Sequence, residues 1–442
     1  MRSRLIILVE LVLLAIVVPG FRTSAQSPTE PKPTLKEFGS SLKQLKWEPA
    51  KQTAIETNSA GKQPLAAEDV IRIDIELVVC DVLVLDRQGH AVQGLTRDDF
   101  IVAEDGQPQQ ISHFSLGSEG EEERSIVLII DYSSSQLPYI RNSVEAAKTL
   151  VDKLGPKDRM AIVTDDVELK VDYTRDKARL KDALEDLRQR ATLQERFGRS
   201  EQFTALMATA RELFSNEDFR RIVIFQTDGD ELDLLQPTDF YRYLNIPPPA
   251  ADASEKEKRK SEERVSRAIS QFKNKPVIKE FGLKDVYNAA EKSRATVYSV
   301  IPGVRFIGLS PAEQLESAKK SWDDWFLVRP DAFDYRSLPK KVLVKLEKHL
   351  VQVADMWARR QSAVSGVATT TGGFTSFLEN PNQAEEIYSR ILSDVNSRYV
   401  IGYYPTNKTR DGKRRKVLIE LRNRPEYTVE GRRSYYAPGP EQ

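Results

Sequence analysis

Two continuous apolar runs, at residues 125–130 and 221–225, constrain the fold of this chain more than any other feature of its sequence. A strand that is apolar at successive positions is buried on both faces, which is typical of a parallel sheet covered by helices. Residues 160–163 and 295–301 predict two further strands, and segments with helical periodicity lie between the strands. This alternation predicts an α/β fold with a doubly wound, mostly parallel sheet.

The segments that flank this α/β region have a different pattern. Residues 70–118 and 410–437 alternate apolar and polar side chains over short stretches separated by turns. This period predicts antiparallel strands, and each flank is too small to be stable alone. We therefore predict a small antiparallel β domain at 70–118, completed by 410–437, with the α/β domain inserted at 122–405. In the alternative topology, residues 399–404 lead the C-terminal strands into the α/β sheet.

Two long stretches, 231–282 and 303–350, interrupt the alternation of strands and helices. The first contains a dense run of mixed charges at 252–264, and the second is rich in aromatic side chains. Interruptions of this length in a compact α/β unit are usually insertions that cover a face or a site. The aromatic residues of the second insertion are Trp322, Trp325, Phe326, Phe333 and Tyr335.

The N-terminus has the pattern of a secretory signal peptide. Arg2 and Arg4 precede an apolar stretch at 5–18, and small residues stand at 23–25, so we expect cleavage after about residue 25. The stretch is shorter than the ~20 apolar residues of a spanning helix, although an uncleaved anchor is the alternative. We expect an exported protein, periplasmic or extracellular, without a membrane span after cleavage. Residues 26–68 have the composition of a disordered linker.

Acidic and hydroxyl side chains follow the two buried strands. Asp131, Ser133 and Ser135 come directly after the first strand, Asp228 follows the second, and Thr204 begins a helix before it. Ligand sites of open α/β sheets lie at the carboxyl ends of the strands. Carboxylate and hydroxyl oxygens suit Mg²⁺, Mn²⁺ or Ca²⁺. In the alternative, the two serines only cap the following helix and Asp131 closes a turn.

The pattern Asp131-x-Ser133-x-Ser135, with Thr204 and Asp228 downstream, resembles the metal-ion-dependent adhesion site of von Willebrand factor A domains, which integrins also contain. The resemblance implies a Rossmann-like domain that binds a divalent ion. It further implies that an acidic residue of a partner completes the coordination of this ion.

Further motifs lie outside this site. The segments 94–100 (GLTRDDF), 104–106 (EDG) and 399–405 (YVIGYYP) resemble the exported von Willebrand factor A-related proteins that are frequent in acidobacteria. This resemblance covers about residues 70–437. It implies an exported protein and leaves its partner open.

Thr204 departs from the family's pattern. Related sequences often have glycines before this threonine, whereas here Glu201-Gln202-Phe203 precede it. Thr209 is the alternative ligand, although it lies about a turn and a half into the helix. Three acidic residues follow Asp228, and we interpret them as solvated loop charges rather than ligands. They are Asp230, Glu231 and Asp233.

Catalytic and nucleic-acid functions find little support in the sequence. The only histidines, His90, His113 and His349, lie in different segments, and the usual zinc-protease, hydrolase and phosphate-loop motifs are missing. Lys and Arg balance Asp and Glu at 66 each, so no net charge favours nucleic acid. The single Cys80 excludes an intrachain disulfide. The basic run 413–416 is interpreted as a solvated turn.

We therefore expect a binding module of adhesion type and not an enzyme. Its partner, a protein or an acidic glycan, would supply a carboxylate to the metal ion. One alternative is a structural component of a cell-envelope assembly. The other is a metal-dependent hydrolase, for which the sequence offers no visible general base.

Overall fold

The computed structural model describes residues 38–57, 77–117, 123–193, 200–215, 220–244, 246, 248–271, 278–328 and 339–438. The predicted signal peptide lies outside these residues, as do most of the predicted linker and residues 329–338 of the second insertion. No helix in these described ranges is long and apolar enough to cross a membrane.

The strands are numbered in chain order. They are β1 (Leu45–Glu48), β2 (Thr53–Glu56), β3 (Val78–Leu85), β4 (Phe100–Glu104), β5 (Gln107–Gln109), β6 (Ile111–Leu116), β7 (Arg124–Ile130), β8 (Asp158–Thr164), β9 (Leu169–Thr174), β10 (Arg220–Gln226), β11 (Thr296–Pro302), β12 (Thr375–Leu378), β13 (Tyr399–Tyr403), β14 (Arg414–Leu421), β15 (Thr428–Gly431) and β16 (Ser434–Tyr436).

The α-helices are numbered in the same way. They are α1 (Ile140–Lys153), α2 (Lys177–Leu193), α3 (Gln202–Ala208), α4 (Phe240–Tyr243), α5 (Glu255–Gln271), α6 (Leu283–Lys292), α7 (Pro311–Val328), α8 (Lys340–Thr371) and α9 (Ala384–Ser397). Short 3-10 turns at Ser134–Gln136 and Asp230–Leu234 follow β7 and β10.

A six-stranded sheet forms the centre of the α/β domain, in the order β12-β11-β10-β7-β8-β9. All neighbouring pairs are parallel except β8 and β9. Helices α1, α2 and α9 pack on one face of the sheet, and α3, α6 and α8 pack on the other. The doubly wound, mostly parallel α/β fold predicted from the sequence is confirmed, because apolar side chains on both faces of each central strand require two helical layers.

The antiparallel part consists of two four-stranded sheets, in the orders β15-β3-β13-β6 and β16-β14-β4-β5. They enclose a common core that includes Val82, Phe100 and Val417. Strand β14 pairs with β4, and β15 pairs with β3, so each sheet combines strands from both ends of the chain. This pairing is the one that an α/β domain inserted into a β domain requires.

The boundary predicted for the α/β domain at residue 405 is wrong. Strand β13 lies between β3 and β6, in the antiparallel sheet, rather than extending the α/β sheet. Every residue of β13 is buried, so its sequence has the same apolar continuity as the strands of the parallel sheet. A continuous apolar run indicates that a strand is buried on both faces. It does not indicate whether the neighbouring strands are parallel or antiparallel.

The disordered linker predicted over 26–68 is wrong for residues 38–57. Strands β1 and β2 pair in a hairpin, and Leu45 is buried among core side chains of the α/β domain. The Trp47 amide donates to Glu280 Oε2 over 2.8 Å, and the amides of Gly39 and Ser41 donate to Glu212. The low apolar fraction of this segment did not predict its order, because a few apolar side chains stabilise a hairpin when they pack on the core of another domain.

The insertion at 303–350 supplies α7 and the first part of α8. These helices pack around a small cluster that contains Phe306, Ala318 and Leu350. Farther along α8, Val364 and Val367 belong to the core of the α/β domain. The insertion is therefore anchored to the central sheet by a helix that continues beyond it. Of its five aromatic residues, Trp322 packs on this cluster, and the other side chains lie outside the described part.

We expect Leu45→Ala to lower the free energy of unfolding by about 2–3 kcal/mol, because a buried leucine side chain is lost from a core contact. Urea denaturation of the purified protein measures this change. Lys51→Ala is the matched control, since Lys51 is exposed in the same hairpin and its loss should leave stability within about 0.5 kcal/mol. Equal midpoints for both variants would contradict the packing of the hairpin.

We expect a chain that ends at about residue 410 to lose amide protection in β3 and β4, because β14 and β15 pair directly with them. Hydrogen exchange read by mass spectrometry measures this loss, with peptides from β8 as the internal control. Slow exchange retained in β3 and β4 would show that the two flanks do not depend on each other.

Candidate metal site at the ends of β7 and β10

The candidate site lies where the order of the strands reverses. The chain runs outward from β7 to β8 and β9, then returns to the other side of β7 as β10. The two strands are parallel and in register, from Arg124 beside Arg220 to Ile130 beside Gln226. Loops that leave neighbouring strands at such a point diverge and form a crevice, which is the usual ligand site of open α/β sheets.

The loop after β7 brings three predicted ligands together. The Ser133 amide donates to Asp131 Oδ1 over 3.0 Å, and the Ser133 and Ser135 hydroxyls are 3.0 Å apart. Ser133 precedes the 3-10 turn, but its side chain does not cap it, and α1 begins without a side-chain cap. The part of the alternative in which the serines cap a helix is therefore wrong. The other part, in which Asp131 closes a turn, is present, because its carboxylate accepts the Ser133 amide.

The turn after β10 holds Asp228. Gly229 has a φ of 77°, and a Cβ atom there would lie 2.6 Å from Val364 of α8, so a tight left-handed turn under this helix requires glycine. The Asp230 amide donates to Asp228 Oδ1 over 3.1 Å, and Gln136 Nε2 donates to Asp228 Oδ2 over 2.6 Å. Gln136 is a site residue that the sequence analysis missed.

Gln202 links the two carboxylate turns and was also missed. Its Nε2 atom donates to Asp131 Oδ2 over 2.8 Å and to Asp230 Oδ1 over 2.6 Å. Its Oε1 atom accepts the Glu231 amide over 3.2 Å. The neutral Gln202 side chain thus bridges Asp131 and Asp230. The sequence motif indicated Thr204, two residues later, and gave no signal for Gln202.

Thr204 has a different partner from the other four predicted ligands. Its hydroxyl and its amide both donate to the Glu231 carboxylate, the amide over 3.0 Å. Lys279 Nζ lies 3.4 Å from the same carboxylate. In the described part of the chain, the contacts of Thr204 thus join it to Glu231 and not to Asp131 or Asp228. Thr209, the alternative ligand, has a buried hydroxyl farther along the same helical segment.

The interpretation of the acids after Asp228 as solvated charges is wrong for Glu231 and Asp233, whereas Asp230 is partly exposed. Glu231 is only 1% exposed. Asp233 pairs with Arg360 of α8, whose Nε atom lies 2.9 Å from Asp233 Oδ2, and Asp230 accepts the Gln202 amide. A sequence pattern cannot show this, because the partners are distant along the chain: Arg360 is 127 residues from Asp233, and Gln202 is 28 residues from Asp230.

Burial raises the pKa of three carboxyl groups at this site. For Asp131 and Asp228, loss of hydration is the main cause, and repulsion from the neighbouring acids adds to it. For Asp230, burial and the Asp228 charge raise the pKa to about 6. The Arg360 guanidinium lowers the pKa of Asp228 and Asp230 in part. The cluster therefore holds more negative charge than its one nearby arginine balances.

The donor set suits a hard divalent ion. Asp131, Asp228, Ser133 and Ser135 offer only oxygen atoms, the ligands that Mg²⁺ and Ca²⁺ prefer. Among the residues that the structure describes, no group of three or more His, Cys, Asp or Glu side chains has a metal-cluster arrangement. A site here would therefore need the serine hydroxyls as well as the two carboxylates.

Access to the cluster is narrow. Asp131 and Asp228 are 1% and 3% exposed, whereas Ser135 and Asp230 are partly exposed. On one side, the Tyr139 hydroxyl donates to Asp324 of α7 over 3.0 Å. Helix α8 covers the Asp228 turn from the other side. The second insertion thus contributes to the walls around the site, and Ser135 and Asp230 form its rim.

No protein-family model and no curated protein matches this chain. Among solved structures, a conserved hypothetical protein, BatB, from Bacteroides thetaiotaomicron is 15% identical, with a TM-score of 0.30 over 62% of this chain and 98% of that one. The vWF domain of the type V pili tip protein Mfa5 from Porphyromonas gingivalis is 13% identical, with a TM-score of 0.31 over 62% and 95%.

A third similar structure is a von Willebrand factor type A protein from Catenulispora acidiphila, 11% identical, with a TM-score of 0.28 over 83% of this chain and 74% of that one. At these scores the similarities carry no argument about function. The fold class rests on the strand order and the two helical layers described above. These features define a doubly wound, mostly parallel α/β domain inserted into an antiparallel β domain.

We expect the metal-free protein to lose stability as the pH rises through the range in which these acids ionise. Their folded-state pKa values lie above the ordinary value, so the folded chain retains protons that the unfolded chain has released. The stabilisation present near pH 4 is thus lost by about pH 7. In Asp131→Asn, this loss should be smaller by on the order of 2 kcal/mol.

Urea denaturation of both proteins in EDTA, at several pH values, measures the difference. The comparison cancels the contributions of acids elsewhere in the chain. Parallel stability profiles for the two proteins would show that Asp131 is not the group that titrates.

Proposed function

We propose that this chain is an exported binding module that engages its partner through a divalent ion at the ends of β7 and β10. The observation that carries the proposal is the convergence of Asp131, Ser133, Ser135 and Asp228 at the reversal of the strand order. Buried carboxylates are costly unless a cation or hydrogen-bond donors compensate them. A bound ion would compensate them and leave a positive centre behind the rim.

The residues have separable roles in this proposal. Asp131, Asp228 and the two serines would hold the ion, preferably Mg²⁺ or Mn²⁺, with Ca²⁺ as the alternative. The ion would supply the charge that attracts a carboxylate of a protein or an acidic glycan. Gln202 orients Asp131 and Asp230, and Gln136 orients Asp228, through the hydrogen bonds described above. Thr204 would not bind the ion but would hold the turn after β10 in place, through its hydrogen bonds to Glu231.

The partly exposed rim favours binding over catalysis. Ser135 and Asp230 are the site residues that reach the surface, which suits contact with a single acidic side chain rather than enclosure of a substrate. Export is proposed from the sequence of residues 1–25 and places the module in the periplasm or outside the cell.

We expect the protein to bind a single Mg²⁺ or Mn²⁺ ion and Asp131→Ala to abolish this binding, because a charged oxygen ligand is lost. Isothermal titration calorimetry of metal-stripped protein measures the affinity. Asp172→Ala is the control, since Asp172 is exposed on β9, away from the site. Unchanged affinity in Asp131→Ala, with native stability, would rule out this metal site.

The partner is sought in extracts of the source cell envelope. We expect wild-type protein to retain a partner in Mg²⁺ and to release it in EDTA, and Asp131→Ala to retain none. Retention that EDTA and the substitution leave unchanged would favour a permanent structural component of an assembly. Turnover of an envelope substrate in Mg²⁺ would favour the hydrolase.

A further inference from the structure

The β domain has an open corner where β14 and β15 meet. Strand β16 pairs with β14 at Arg414, Arg415 and Lys416, and the Val417 amide donates to the Arg433 carbonyl beyond them. Among the described strands, residues 418–421 of β14 pair with β4 alone. Strand β15 is the last strand of the other sheet, and β3 is its partner among the described strands. Between these two edges lies a groove of about 530 Å³, which is within the usual range of ligand pockets.

The backbone of β14 directs hydrogen-bonding groups into this groove. On the β4 side, the Lys416 amide donates to Asp105 Oδ1, and the Lys416 carbonyl accepts the Asp105 amide. On the opposite side, the Val417 amide donates to the Arg433 carbonyl. Backbone groups alternate in direction along an antiparallel strand. The N–H and C=O groups of Ile419 and Leu421 therefore point away from β4, where no described strand pairs with them.

Strand β15 presents the same kind of edge. The Val84 carbonyl of β3 accepts the Val92 amide, so the backbone groups of Val84 point away from β15. Val429 is paired opposite Val84, and its own N–H and C=O groups consequently point away from β3. Val429 also lines the groove. Two strand edges with unused backbone groups thus border one groove.

The side chains around the groove combine apolar walls with a basic rim. Apolar lining residues include Val417, Ile419, Leu421, Tyr427 and Val429. Of the basic lining residues, Lys416, Arg424 and Arg433 are exposed, whereas Arg432 is buried and donates to the Glu291 carbonyl. Glu420 is the one acidic residue of the lining. Within the described ranges, Lys416 and Arg433 have no ion pair, whereas Arg424 lies 3.8 Å from Asp99. The rim therefore has positive charge left for a ligand.

We propose that this groove binds an extended acidic peptide, which adds as a strand to the edge of β14. Main-chain hydrogen bonds to Ile419 and Leu421 would provide affinity, as in other cases of strand addition. Alternate side chains of the peptide would face the apolar walls, and acidic ones would meet Lys416 and Arg433. The site lies in the β domain and uses no metal.

The probe is a synthetic nine-residue peptide that alternates valine and glutamate, labelled for fluorescence anisotropy and titrated with the full chain in EDTA. Three comparison ligands are a valine–lysine peptide, a valine–glutamate peptide with N-methylated amides, and heparin. We expect the valine–glutamate peptide to bind, the lysine peptide not to bind, and N-methylation to abolish binding. Equal binding of the N-methylated peptide or of heparin would show a general anion surface and overturn strand addition.

The matched variants separate the groove from the basic run beside it. Lys416→Glu with Arg433→Glu should weaken peptide binding about tenfold, because two attractive rim charges become repulsive. Lys413→Glu is the control, since Lys413 is 77% exposed and does not line the groove. Circular dichroism and thermal unfolding check that all variants fold. Absence of binding to wild type, or equal loss in the control, would overturn the proposal, while metal binding at Asp131 would be unaffected.

Discussion

The parallel pairing of β7 with β10 forms the centre of the α/β sheet. It places Asp131 and Asp228 side by side at the reversal of the strand order, in a region almost closed to solvent. Buried carboxylates must be compensated. The donors around these two include the side-chain amides of Gln136 and Gln202 and the Arg360 guanidinium, beside the backbone amides of their own turns. Gln136, Gln202 and Arg360 lie in three different elements of the fold. The two carboxylates are therefore compensated only after all three elements have packed together.

The insertion arrangement ties the two domains together as well. Arg220 of β10 pairs with Asp81 of β3 over 3.1 Å, and Arg432 donates to the Glu291 carbonyl at the end of α6 over 2.7 Å. Both arginines are almost fully buried, which makes these links costly to separate. The candidate metal site and the candidate peptide groove thus belong to domains that share buried polar contacts, although each site is built from its own strands.

The limits of the sequence analysis follow from what a local pattern records. Apolar runs record burial, so they indicated β7, β10 and the two helical layers. Apolar runs did not show that β13 belongs to an antiparallel sheet, because β13 is as fully buried as a parallel strand. They also did not indicate the burial of Leu45, whose neighbours along the chain are polar. The motif at Asp131 indicated the loop of the site, but not the amides that hold its carboxylates, because Gln136 and Gln202 match no motif.

The amino-acid sequence alone was enough to predict the class of the fold, the alternating flanks and the placement of Asp131 and Asp228 at the ends of two buried strands. These features depend on periodicity and on neighbours along the chain. The tertiary structure decided that Thr204 contacts Glu231, that Arg360 reaches the acidic cluster, and that β14 and β15 leave an open edge. Each of these depends on how distant elements pack, and the free energy of such packing is set by shape and burial in three dimensions.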